Sequence, residues 1–120
     1  MAHARKQLGD TGESIALRYL RSKDYEILAQ NWRAGHGEID LIACQGDEVV
    51  FVEVKTRRGN SHGTPEESVT ATKQRQLRML VEIFFLRYPH LSGRKFRIDV
   101  IAIELAGESG GRLRHLKAVV

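Results

Sequence analysis

The chain has 120 residues, the size of one domain and enough to bury a core without disulfides or a structural metal. Hydrophobic residues make up 42% and charged residues 28%, which excludes a disordered chain, and no apolar run approaches the length of a membrane span. The formal net charge of +4 favours a polyanionic partner without requiring one.

The lone cysteine, Cys44, cannot form an internal disulfide, and its place at the end of an apolar run suits a small buried residue better than a nucleophile. The first residues, Met1 to Gln7, have no apolar stretch after their basic side chains, so the cytoplasm is the expected compartment.

In chain order, Leu8, Gly12, Ile15, Ala16, Tyr19 and Leu20 recur at helical spacing and predict a helix over 6–23. Tyr25 to Arg33 reads as a strand, and Ala34 to Gly37 as a turn. Strands are expected at Glu38 to Cys44 and Val49 to Arg57, joined by a tight turn at Gln45 to Glu48. Arg58 to Pro65 reads as an exposed loop. A second helix follows from Glu66 or Thr70 to Tyr88, with Leu77, Leu80, Val81, Phe84, Phe85 and Tyr88 as its face and Pro89 as its stop. Phe96 to Leu105 is a fourth strand, Gly107 to Gly111 a turn, and Arg112 to Val119 a fifth strand. The order α-β-β-β-α-β-β suits a single α/β domain with a mixed sheet and a helix on each face.

The hairpin carries the chemistry. A turn centred between Gly46 and Asp47 places Asp40 opposite Glu53, Glu38 opposite Lys55 and Ile42 opposite Phe51. Opposed residues share a sheet face, with Cβ atoms roughly 4.5–5.5 Å apart. The other face, Ile39, Leu41 and Ala43 against Val50, Val52 and Val54, is wholly apolar and belongs in the core. Two opposed carboxylates repel unless a proton, a lysine or a cation intervenes. A hard divalent ion such as Mg²⁺ suits such a pair, because it binds through one or two carboxylates plus water and phosphate oxygens. Without a metal, Glu38–Lys55 would be an ordinary cross-strand ion pair, with Asp40 and Glu53 solvated at a sheet end.

Asp40, followed after twelve residues by Glu53-Val54-Lys55, resembles the PD-(D/E)xK motif of restriction-endonuclease-like nucleases, with Ile39 in place of the motif's proline. The wider context resembles the YraN-like family of small uncharacterised bacterial proteins. It comprises Gly12-Glu13, Tyr19-Leu20, Asn31-Trp32-Arg33, Gly37 to Ile42, Val50 to Arg57, Lys73 and Asp99-Val100. The resemblance implies a three-layer α/β/α core close to that of archaeal Holliday junction resolvases. It implies Asp40 and Glu53 as ligands for Mg²⁺ or Mn²⁺, with the Val54 carbonyl as a third, Lys55 as the catalytic lysine and Glu13 completing the site.

Other residues divide between roles. Glu13 could instead favour the helix dipole, and Glu38 is either the partner of Lys55 or a neighbour of the metal. Arg33, Arg57, Arg58 and Lys73 are candidate phosphate contacts, against the reading of solvated charge. Trp32 suits core packing better than base stacking. Asp99, in an apolar strand, is expected to be structural and to need Lys73 or Arg97. The five histidines, His3, His36, His62, His90 and His115, show no ligand spacing. The leading expectation is phosphodiester hydrolysis of branched or otherwise structured DNA. The rivals are a nucleic-acid-binding or partner-recruiting module with the same fold, and a hydrolase for another substrate. A homodimer would suit a four-way junction.

Overall fold

The computed structural model describes residues 2–58, 69–106 and 111–120, with side chains from residue 11 onward. Its order is α1 (Ala2–Ser22), β1 (Glu26–Ala34), β2 (Gly37–Gln45), β3 (Glu48–Arg58), α2 (Ala71–Arg87), a 3₁₀ turn (Pro89–Leu91), β4 (Phe96–Leu105) and β5 (Gly111–Leu116). The strands form one sheet in the order β1-β2-β3-β4-β5. Only β3 and β4 run parallel, joined by α2, so the sheet is mixed as expected. The expected packing of Leu8 and the loops at Gly59 to Pro65 and 107–110 lie outside the described residues.

The two helices cover opposite faces. Ala16 and Leu20 of α1 pack on Leu41, Ala43, Val50, Val52 and Ile101. Leu77, Leu80, Val81 and Phe84 of α2 pack on Ile42, Phe51 and Ile98. Phe51 meets Phe84 and Phe85 edge-to-face, with ring centroids 5.3 and 5.8 Å apart, the geometry favoured by ring quadrupoles. Thr70 caps α2 by accepting from Lys73 N–H. The helix ends at Tyr88, whose φ of −125° and ψ of 69° are non-helical, as the following Pro89 requires. Trp32 packs edge-to-face on Phe84 at 5.4 Å, with Arg87 over its ring. Cys44 is buried.

Two expectations need correction. Ile39 does not join Leu41 on the α1 side; it packs with Ile42 on the α2 side. Its partner Trp32 and the neighbouring Ala29 of β1 do the same, although strict alternation would put residues three apart on opposite faces. The break falls at Asn31, whose φ of 50° is left-handed, a conformation asparagine tolerates better than most residues. The second correction is at β5, which ends at Leu116 rather than Val119. Ala118 turns with a φ of 53°, and its N–H goes to the Asp99 carboxylate instead of the ladder.

Gly12 explains how α1 sits so close to β3. A Cβ at this position would overlap Thr56 Oγ1 and lie 2.9 Å from the Thr56 Cβ. Threonine is stiff about χ1 and cannot swing aside, so only glycine allows this approach. Glu13 follows directly and is set by the same contact.

Candidate functional site

The β2–β3 register is the expected one near the turn, from Gln45↔Glu48 to Leu41↔Val52. The ladder stops there. Instead, Val54 N–H donates to Asp40 Oδ2 at 2.7 Å, so the carboxylate replaces a ladder carbonyl. Asp40 and Glu53 still share a side, since both line the cavity between α2 and the β1–β2 turn.

Glu53 is 5% exposed. Its Oε1 lies 3.4 Å from Lys55 Nζ and 3.4 Å from Lys73 Nζ. Its Oε2 is buried and has no hydrogen-bond partner among the described residues, an arrangement that costs free energy unless a proton or cation fills it. Burial, and then the charge of Glu53, push the Asp40 carboxyl up to about 7, against the pull of Val54 N–H; Glu13 and Glu38 add to the rise. An acid pair of which Glu53 is buried and Asp40 partly buried, with one orphaned oxygen and one carboxyl reluctant to ionise, fits a divalent cation. Asp40 and Glu53 would hold it, with the Val54 carbonyl on the same strand as the third donor. Among the described residues no group of three or more acidic, histidine or cysteine side chains is close enough together to hold a metal.

Glu13 reaches the site through an intermediary. With its amide oriented by the hydrogen-bond network, Asn31 donates to Glu38 Oε1 at 2.9 Å and to Glu13 Oε2 at 3.1 Å. Glu38 therefore does not pair with Lys55; its ionic partner is Arg33, at 3.9 Å across the β1–β2 ladder. The Asn31-Trp32-Arg33 motif by itself assigns Asn31 no role. The signal for it was an asparagine in mid-strand, where strand propensity is poor.

Lys73 stands closer to the chemistry than a phosphate grip on a helix start. It reaches across from α2 onto Glu53, the side chain it was not expected to meet. Arg57 lies near the end of β3 and Arg58 is its exposed last residue.

Asp99 is fully buried and has the expected partner in Arg97, with Nε 3.0 Å from each carboxylate oxygen. His115 was missed. Its Nε2 is 2.7 Å from Asp99 Oδ2 and its Nδ1 is 3.0 Å from the Tyr19 hydroxyl. Arg97 also reaches the Tyr25 hydroxyl and Glu48. The β4–β5 register, which seats His115 opposite Ile101, is the non-local fact that sequence spacing could not supply.

Residues 12–103 match the model described as "Uncharacterised protein family UPF0102". The chain belongs to the UPF0102 family. The UPF0102 protein of Rhodococcus opacus is 45% identical over 117 residues, covering 98% of each chain. That of Roseiflexus castenholzii is 43% identical over 105 residues, covering 88% of this chain and 85% of its own. The Moorella thermoacetica member is also 43% identical over 105 residues, covering 88% and 87%. The UPF0102 match begins at Gly12 and ends within β4, at Ile103, so it contains Glu13, Asn31, Asp40, Glu53, Lys55, Lys73 and Asp99. No helix among the described residues is long and apolar enough to cross a membrane.

Proposed function

We propose that the protein is a Mg²⁺- or Mn²⁺-dependent endonuclease acting on branched or otherwise structured DNA. The observation that carries this reading is the Glu53 carboxylate, with Oε1 between two lysines and Oε2 buried and unpartnered among the described residues, beside Asp40. A divalent ion at such a carboxylate pair supplies Lewis-acid and water-activating chemistry.

The chain's own groups divide the remaining work. Lys55 orients the attacking water or neutralises charge that develops on the phosphate. Lys73 holds Glu53 in place and offers a second ammonium to the same phosphate. Asn31 positions Glu13 and Glu38 and, through them, sets the field felt by Asp40. Arg33, Arg57 and Arg58 are the backbone contacts that align the strand. A domain this small leaves little surface for long base readout, which favours selection by structure.

The test is a panel of labelled four-way junction, flap, duplex and single-stranded DNA with Mg²⁺ or Mn²⁺, run beside Asp40→Asn and Glu53→Gln. Product from the native chain alone is the expected result. Equal cutting by all three proteins overturns the assignment. Salt-dependent binding without product, unaffected by Lys55→Ala, establishes a binding or recruiting module instead.

A further inference from the structure

The proposed site fills only one end of its cavity. The cavity measures about 620 Å³, within the usual range of small-molecule pockets. Asp40, Glu53 and Lys73 line it together with Met79, Leu80 and Ile83 further along α2, and His36 and Glu38 face it from the β1–β2 turn and the start of β2. A hard cation has no use for that apolar end, since it takes oxygen ligands. A phosphate track has none either, since phosphates are met by cationic groups and N–H donors.

The helix sets the spacing between the two ends. Lys73, Gln76 and Met79 recur every third residue along α2, so Met79 lies about 9 Å along the axis from Lys73. Gln76 stands between them with an amide that can donate and accept. Met79 is 63% exposed, an adaptable thioether at the rim with its apolar surface still in water. Gly37 keeps the opposite wall close, because a Cβ there would lie 2.9 Å from the methyl carbons of Leu80.

A ligand tethered to a phosphodiester, with apolar faces and polar edges, matches this order of surfaces. We propose that the apolar end receives an unpaired nucleobase adjoining a phosphate held by Lys73 beside the Asp40–Glu53 pair. The inference rests on the nuclease reading and adds the feature that selects the substrate, a base free to leave its stack. Extruding a paired base costs a few kcal/mol, whereas a bulge, junction or single strand presents one at lower cost.

The test uses the full chain and reads binding, with Ca²⁺ replacing Mg²⁺. One duplex carries a single-nucleotide bulge with 2-aminopurine at the bulge; its control is fully paired. The bulged duplex is expected to bind roughly tenfold tighter, the value of one base stacked on an apolar surface, with a change in 2-aminopurine emission. Met79→Asp, checked for an unchanged melting temperature, removes the preference. Leu86→Ser, which alters an exposed apolar residue of α2 outside this cavity, keeps it. Equal affinity for both duplexes, or a preference that survives Met79→Asp, overturns the base pocket. In a parallel assay with Mg²⁺ or Mn²⁺, equal cutting of paired and bulged DNA does so while leaving the nuclease reading standing. Tight, Met79-dependent binding of the bulge in Ca²⁺, with no product once Mg²⁺ or Mn²⁺ replaces it, upholds the pocket and rejects the nuclease. No binding to either duplex overturns the base pocket; the nuclease reading is then decided by the junction and flap substrates.

Discussion

Asp40 accepts a 2.7 Å hydrogen bond from the backbone N–H of Val54, so one candidate ligand helps to hold the strand that carries the other. Asp40→Asn keeps an acceptor for that N–H and removes the charge that burial and Glu53 disfavour. Asp40→Ala removes both. In the absence of metal at neutral pH, Asp40→Asn is expected to be more stable than the native chain by on the order of 2 kcal/mol, and Asp40→Ala less stable than Asp40→Asn by about 1 kcal/mol. Thermal melts with chelator check the order; a native chain more stable than Asp40→Asn at pH 8 would contradict it.

The pH dependence follows from the direction of the Asp40 shift. Its folded value, about 7, is above the unfolded one, so its contribution to stability is full below the ordinary carboxyl range and is lost as pH rises through 7. Metal binding must displace that proton. Calorimetry with Mn²⁺ in buffers of different ionisation enthalpy is expected to show close to one proton released at about pH 6 and almost none at about pH 8.5. Proton release that does not change with pH would place the cation elsewhere.

Lys55 and Lys73 share one carboxylate oxygen, so removing one leaves Glu53 with the other. Lys55→Ala and Lys73→Ala are each expected to cost less than about 1 kcal/mol of stability, and the double variant roughly 3 kcal/mol, because a buried charge then stands alone. Denaturant unfolding of the three variants measures the coupling; additive losses would show that the lysines do not share Glu53. In cleavage, Lys55→Ala is expected to lose roughly 100-fold or more and Lys73→Ala about tenfold.

Gly12→Ala would normally strengthen a helix by roughly 0.5–1 kcal/mol. Here the overlap with Thr56 reverses the sign, and the expected loss is about 2 kcal/mol. Thr56→Gly in the same chain should recover most of it, as a double-mutant cycle of melting temperatures would show. The single variant also displaces Glu13, so it should weaken metal binding, whereas the double variant restores it.

Asp99 predicts behaviour in acid. Burial raises its carboxyl, but the bonds from His115, Ala118 N–H and Arg97 outweigh burial and hold it below its ordinary value. Its contribution is therefore present above the unfolded carboxyl range and is lost as pH falls through the lowered value. Asp99→Ala is expected to cost roughly 3 kcal/mol and to blunt the acid limb of the stability profile, leaving the Mn²⁺ affinity of the folded protein unchanged. An acid limb identical to that of the native chain would assign the transition to other carboxylates.

Much of this could be read from the chain because the informative contacts are local. β4 begins and ends where its pattern does, and the tight turn at Gly46 fixes a register that brings Asp40 and Glu53 to one side. What escaped was set by non-local contacts or by a single dihedral. The left-handed backbone at Asn31 breaks the alternation of β1, and Ile39, opposite Trp32, lies on the face that alternation did not predict. The Glu53–Lys73 pair depends on how α2 crosses the sheet, and the Asp99–His115 pair on the register of β5.

The connectivity also fixes an order of assembly. Gly46 and Asp47 alone separate the ladders of β2 and β3, so that hairpin needs little loop closure and can form early, whereas the parallel docking of β4 waits for all of α2. The nascent hairpin thus brings two like charges together before Lys73 has been delivered to relieve them. Acid or a divalent salt should speed folding by softening that encounter, and the last ammonium to arrive locks the hairpin shut.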